Sequence, residues 1–553
     1  MREVGAFQWS VIVMYAITVI PWLWGNIAIL VVAPKIPHWC RDASPSFQNL
    51  TEEQQRRIMT SSEVCQRPDV NFTTMTSEQL LTSNFTSVPW IPCDQGVSYD
   101  HSEFDYTATE QYNLGCGNEW LISMTNTIYM LGFFLAAAPS GALADRFGRK
   151  TVMVAGGVLG AAAQCMIGLA PNLATFLVGK FLGAVFEMTA YTGSVILCIE
   201  LVRKDQRILA NVFVTVVGAG GNACFFLLAM SIRNHQHIHV MIAILYLVFA
   251  LANLWYIPES PRWLTSQHRT DDAHAVVQRM ADFNGQNAAD LRYLVDVDET
   301  EKVEGGRKAN ILDLVRTSTL RKRTIILCAI WFNIVLVSYA LLFNLGDFGP
   351  DVRTSIVIQS LLDLPGLALL IATLDIFGRQ VSSFCYMLLA GICCFAMAPL
   401  VGATHSPLLL SLALLGKVLS GNQFFVVYMH TPELYPTVIR TMGLGTASTV
   451  ARVAGMVAPQ ITLLNRFWPP FMVVILGFAG LLCAVLTPLL PDTTGYELPQ
   501  TLEDGERFRA DHTYRLTLPP DFRKKKCCGK TGHGGRSREM KVTVDEPSVT
   551  TPL

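Results

Sequence analysis

Residues 141–150 read GALADRFGRK, four charges between two long apolar runs, 122–140 (ISMTNTIYMLGFFLAAAPS) and 151–170 (TVMVAGGVLGAAAQCMIGLA). Each run approaches the roughly 20 residues needed to cross the hydrocarbon core of a bilayer. The stretch is therefore a tight turn between two membrane spans. Positive charge alone would set topology, and Arg146 and Lys150 suffice for that. Asp145 beside Arg146, with Gly141 and Gly148, calls for a further explanation.

Working outward, the composition agrees with a membrane protein. The 553 residues are 51% hydrophobic and 15% charged, against about 25% charged in soluble domains. Twelve apolar spans are predicted: 11–34, 120–144, 151–170, 173–201, 207–231, 237–257, 323–344, 353–377, 381–402, 407–430, 441–463 and 468–490. The first lacks a small-residue cleavage site and reads as a span rather than a signal peptide. An even count puts both termini on one side. The basic clusters at 146–150, 203–207, 258–323, 377–380 and 523–530 all fall there, so that side is expected to be cytoplasmic. The formal net charge of −1 gives no reason to expect a nucleic-acid partner.

The division that follows is residues 1–34 as the N-terminus and first span, 35–119 as an extracellular loop, and 120–257 as spans two to six. Residues 258–322 form a cytoplasmic loop with short amphipathic helices, 323–490 spans seven to twelve, and 491–553 a mostly disordered tail. The outside loop carries sequons at Asn49, Asn71 and Asn84 and four cysteines, Cys40, Cys65, Cys93 and Cys116. Glycosylation and disulfides are expected there, with three pairings open. In the tail, Cys527 and Cys528 within RKKKCCGK are palmitoylation candidates beside a basic run suited to an anionic leaflet.

The opening stretch also recurs. Asp145-x-x-Gly148-Arg149 returns as Asp375-x-x-Gly378-Arg379, 230 positions on. Glu200 to Arg207 (ELVRKDQR) returns as Glu433 to Arg440 (ELYPTVIR), and IPESPRW (257–263) as LPDTTGY (490–496), both at 233. Three motifs in one order at nearly one offset describe two six-span halves. Halves related about the membrane normal are the major facilitator plan, with the substrate at their interface near mid-membrane. We expect Asp145, Arg146, Arg149, Glu200 and Arg207, echoed by Asp375, Arg379, Glu433 and Arg440, to form a duplicated cytoplasmic charge latch.

At this point the sequence resembles a known family. GALADRFGRK fits the loop motif of the major facilitator superfamily. The long loop after span one, PESPRWL (258–264) and ELYPTVIRTMGLG (433–445) resemble the organic-ion transporters, which carry organic cations, organic anions and carnitine-like zwitterions. The resemblance runs from span one to about Asp504. It implies an all-α fold of twelve transmembrane helices and plasma-membrane transport of small organic ions by alternating access. It implies no enzyme activity, cofactor or metal, and the sequence holds no GxxxxGK[ST] loop. A coupling ion or counter-substrate stays open.

Ionisable groups inside spans point to the substrate, because a charge there must pair or line a water-filled path. Span eleven carries Arg452 in Ser448-Thr449-x-x-Arg452. The resemblance associates that pattern with anion and carnitine transporters, and a guanidinium suits a carboxylate. Anion transporters typically carry a Lys after D-L-P-A in span eight, and here Asp363-Leu-Pro-Gly-Leu367 lacks it. Glu187, in span four, is expected to hold a substrate ammonium, to bind a coupling cation or proton, or to neutralise Arg452. An acid and an Arg in one cavity would suit a zwitterion. Trp331, Tyr339, Phe424 and Tyr428 are candidate aromatic walls, for packing or cation–π contact. Asn26 and Gln423 are candidate polar contacts. An organic cation carrier using Glu187 is the alternative within transport. A non-transporting receptor or scaffold on the same fold is the alternative outside it.

Overall fold

The structure is a computed structural model, described over residues 5–34, 36–59, 65–83, 85, 88–203, 206–287, 291, 310–349, 352–402, 407–494, 499–508 and 516. Asn84, Cys527 and Cys528 lie outside these residues. Long helices α1 to α7 span Ala6–Ile27, Trp120–Phe147, Arg149–Gly168, Leu173–Leu201, Arg207–Ser231, His235–Tyr256 and Ser318–Phe343. The continuous stretch Val352–Met397 breaks at Gly378, where φ is 74° and ψ −173°, and so contains α8 (352–377) and α9 (379–397). Helices α10 (Pro407–Leu434), α11 (Arg440–Thr462) and α12 (Phe471–Leu486) complete the twelve expected.

The break at Gly378 repeats one at Gly148, where φ is 99° between α2 and α3. That region of backbone space is nearly closed to side-chain-bearing residues, and a glycine there reverses the chain with no connecting loop. Helices α1–α6 form one half and α7–α12 the other. Inside each half, small residues let backbones touch. A Cβ on Gly156 of α3 would lie 2.7 Å from the Ala190 nitrogen of α4, and one on Gly480 of α12 would lie 3.0 Å from the Gly391 Cα of α9. With lipid on the outside, such close packing is what holds helices together.

Between α1 and α2 the chain builds a small domain. Strands β1 (His38–Cys40) and β4 (Val97–Tyr99) pair antiparallel, as do β2 (Gln66–Pro68) and β3 (Trp90–Pro92). Trp39, Phe47, Leu50, Phe72 and Leu80 fill its core. Two disulfides, Cys40–Cys93 and Cys65–Cys116, resolve the three pairings left open by the sequence. Asn49 and Asn71 are exposed on its surface. Asn71 also accepts hydrogen bonds from the Thr73 backbone nitrogen at 3.1 Å and hydroxyl at 2.6 Å.

Both ends of the described chain lie on the opposite face, called here the terminal face. There the helix Thr270–Asn284 buries Ala273, Val277, Met280 and Ala281, the single stripe expected of an amphipathic helix. Its last residue, Asn284, accepts a hydrogen bond at 2.8 Å from the backbone nitrogen of Phe7 at the start of α1.

Candidate functional site

The two halves meet along α2 with α11 and α5 with α8. On the loop-domain side they are joined by polar contacts. Asn26 Nδ2 donates to the Tyr339 hydroxyl at 3.3 Å. Thr127 donates to the Met456 carbonyl at 3.0 Å and accepts from Gln460 at 2.9 Å. Arg466 pairs with Glu119 at 2.8 Å. On the terminal face, the ion pairs described below stay within one half. This is a molecule drawn together at its loop-domain face.

Between the halves, Arg452 points from the middle of α11. Its Nη1 donates to the Ser448 hydroxyl at 2.8 Å and carbonyl at 3.0 Å, both one turn back on its own helix. Among the described residues no carboxylate lies within ion-pair distance of it, and the groups acting on its charge are the phenols of Tyr428, Tyr339 and Tyr191. A half-buried guanidinium answered only by phenols and its own helix keeps donors available for an incoming acceptor.

Further aromatic rings pack on these phenols. Trp331, Phe424 and Tyr428 form an edge-to-face trio with centroids 4.6 to 5.8 Å apart. Trp331 is buried and donates its indole N–H to Thr431, so it backs the wall, while Tyr428 is 39% exposed and forms its surface. Across the interface Trp22 stacks on Tyr191 at 4.3 Å. Neither Trp22 nor Tyr191 was expected from sequence; aromatic spacing on α1 and α4 does not tell wall from core.

Gln423 and Glu187 are placed elsewhere. Gln423 is buried inside the second half and donates to Ser383 of α9 at 2.6 Å. Glu187 is fully buried inside the first half, where Tyr129 of α2 and Gln164 of α3 donate to its two oxygens at 2.6 and 2.5 Å. Among the described residues Glu187 does not pair with Arg452, one of the three roles left open for it, because α4 turns it toward α2, α3 and α6. Two further intramembrane cations were missed by the sequence reading. Lys180 of α4 is buried beside Tyr129 and Phe176, and Lys417 of α10 faces Asp363 of α8. For Lys417 the available signal was a lone ionisable residue inside an apolar span.

The duplicated charge motif is built nearly the same way twice. Arg149 contacts Asp145 at 2.9 Å and Glu200 at 3.2 Å, and Arg379 contacts Glu433 at 3.2 Å. Asp375 is exposed, and no ion pair involving it is found among the described residues. Arg146 is exposed over the Phe147 ring. Arg207 donates to the Ile199 carbonyl at 2.9 Å instead of pairing with Glu200, and Arg440 begins α11 with its Nε buried and unbonded. The repeat also supplies acids that the sequence reading left without a role. Glu259 accepts from the Arg149 and Lys150 backbone nitrogens at 2.9 and 3.0 Å, and Asp492 accepts from those of Arg379 and Gln380 at 3.2 and 3.4 Å. Each carboxylate seals the positive end of a helix that starts at a glycine break.

Two six-helix halves with Arg452 at their interface and a duplicated charge motif define a membrane transporter of the major facilitator type. The Major Facilitator Superfamily model matches residues 81–459. The fold is similar to the inward-open xylose transporter XylE from E. coli, with a TM-score of 0.60 at 16% identity over 91% of this chain and 99% of that one. Curated relatives include solute carrier family 22 member 3 of Rattus norvegicus, 30% identical over 78% of this chain and 77% of that protein. Member 6 from the same species is 29% identical over 75% of each, and an organic cation transporter protein of Drosophila melanogaster is 28% identical over 84% of each. The chain belongs to the organic-ion transporter family, solute carrier family 22, within the major facilitator superfamily.

Proposed function

We propose that the chain carries small organic anions or zwitterions across the plasma membrane by alternating access, with Arg452 binding the substrate carboxylate. The observation that supports this reading is the Arg452 side chain, bonded among the described residues to Ser448 and faced by Tyr428, Tyr339 and Tyr191, with Trp22 and Phe424 packed on those rings. The rings pack the organic body, and Asn26 lies beside the Tyr339 hydroxyl as a polar contact. Orientation follows the charge rule: the loop domain is extracellular, glycosylated at Asn49, Asn71 and Asn84, and the terminal face is cytoplasmic with palmitoylation at Cys527 and Cys528. Asp145, Arg149 and Glu200, with Arg379 and Glu433, act as the latch on that face.

A second reading, organic cation transport, draws support from a different place. A cavity of about 300 Å³ at the loop-domain end is lined by Asp100, Glu103 and Asp347 together with Phe104 and Phe343. Acidic and aromatic walls suit an ammonium. Uptake of a radiolabelled monocarboxylate, carnitine and a quaternary amine into expressing cells separates the two. Uptake of the acid or carnitine that is lost in Arg452→Ala supports the first reading. Uptake of the amine alone, undiminished in that variant, overturns it.

A further inference from the structure

The buried acid set aside by the cleft has a chemistry of its own, beyond the choice of substrate. Every element packed around Glu187 is accounted for. From α1, Gly25 comes so close that a Cβ there would lie 2.7 Å from Oε1. From α2 comes Tyr129, from α3 Gln164, and from its own helix Lys180, two turns back. From α6 come His239, on Gln164 at 2.8 Å, and Tyr246, whose buried hydroxyl has no partner. Among the described residues, no cation lies within ion-pair distance of the carboxyl group.

The network fixes which atoms hold hydrogens. Gln164 gives its amide N–H to Glu187, so its oxygen accepts from His239 Nδ1–H, leaving the Nε2 lone pair of His239 buried without a partner. One turn back on α6, His235 gives Nε2–H to Gln111 of the loop domain at 2.7 Å, since the Gln111 amide nitrogen donates to the Ala170 carbonyl. The Nδ1 of His235 is then the second buried, bare imidazole nitrogen. Lys180 acts on both imidazoles and on Glu187. Two proton-accepting imidazole nitrogens therefore lie between the loop domain and the middle of the first half, and the Gln164 amide ties His239 to Glu187. The Tyr129 contact works in both states, since the phenol donates to a carboxylate and accepts from a carboxylic acid.

We propose that Glu187 is an intramembrane proton-binding site, flanked by the proton-accepting imidazoles His235 and His239, that makes this chain a proton-coupled carrier. The proton adds to a carboxylate oxygen, giving the neutral acid, and leaves from the same oxygen when the carboxylate is restored. A buried carboxylate with two neutral donors and no paired cation is costly in such a place, so its occupancy by a proton biases how the halves pack. Lys180, held over the Tyr129 and Phe176 rings, faces the same network from two turns back on α4.

The test reads the proton directly and needs no substrate. Infrared difference spectra of the full-length protein in detergent, taken between alkaline and acid buffer, should show a carboxylic C=O stretch that titrates and is absent in Glu187→Gln. Tyr129→Phe keeps the acid and should keep the band while displacing its midpoint, a result independent of how well Glu187→Gln folds. No titrating carboxylic band in the wild type, or a band unchanged in both variants, overturns the proposal. Because no solute is added, failure here is separate from failure of the Arg452 reading.

Discussion

Glu259 and Arg149 are joined through the backbone: the Glu259 carboxylate accepts the amide hydrogen of Arg149 at 2.9 Å, across 110 positions of sequence. The end of one helix in the half is thereby clamped to the start of another, and Asp492 repeats the contact on Arg379.

Removing that clamp should destabilise the fold. Glu259→Ala is expected to lose about 1–2 kcal/mol, the scale of a lost helix cap with its dipole contact. Thermal unfolding in detergent followed by tryptophan fluorescence measures it. Asp145 has a side chain 72% exposed, so Asp145→Asn should cost less than about 1 kcal/mol of stability. If the latch operates, that variant changes transport while leaving the melting temperature nearly unaltered; unchanged transport at normal surface expression rejects the latch.

Two glycines of the opening stretch should behave oppositely. At Gly148, φ is +99° and an added Cβ would lie 2.4 Å from a Glu259 oxygen, so Gly148→Ala is expected to destabilise by 1 kcal/mol or more on the order-of-magnitude scale for strained backbone. At Gly141 nothing lies within 4 Å of the added atom, and Gly141→Ala in mid-helix should be neutral or mildly stabilising. Melting temperatures of the pair decide.

Each disulfide of the loop domain closes a long segment, with sequence separations of 53 and 51. Chain-entropy arguments put the loss for opening one at about 4 kcal/mol. Paired Cys40→Ser/Cys93→Ser substitution should therefore lower surface expression sharply, as measured by surface biotinylation. Normal expression and protease resistance would contradict this.

The same domain should weaken in acid. Arg67 Nε and Nη2 bind Asp94 at 2.7 and 2.8 Å, and this hydrogen-bonded pair holds the Asp94 carboxyl below its ordinary range. A depressed folded-state value means the contribution is full above the unfolded carboxylate range and fades as pH falls through the folded one. Asp94→Asn should flatten that acid limb in pH-dependent protease sensitivity of the loop domain.

How much of this was legible follows from what sequence encodes. Apolar length reveals spans, so all twelve helices were readable. The 230 to 233 offset exposed the two halves, because duplicated turns need the same glycine and arginine. Arg452 stood out as a charge in an apolar run. Lys180 did not, since a lysine two turns into a span reads as a stem that snorkels to the interface. The network around Glu187 escaped because Tyr129, Gln164 and His239 come from three helices; periodicity gives a residue's face, not the neighbour that face meets. The disulfide pairing escaped for a similar reason, as the two bridges interleave along the chain.

Arg353, at the start of α8, lies 4.1 Å over the Phe104 ring and donates to the Glu103 carbonyl at 2.7 Å. The loop domain grows from α1 and α2, so its grip on α8 reaches over to the other half like a hasp. Under the proposed alternating access, the hasp must let go when the halves part on that face. A binder that tightens it from outside would arrest the carrier without ever entering the cleft.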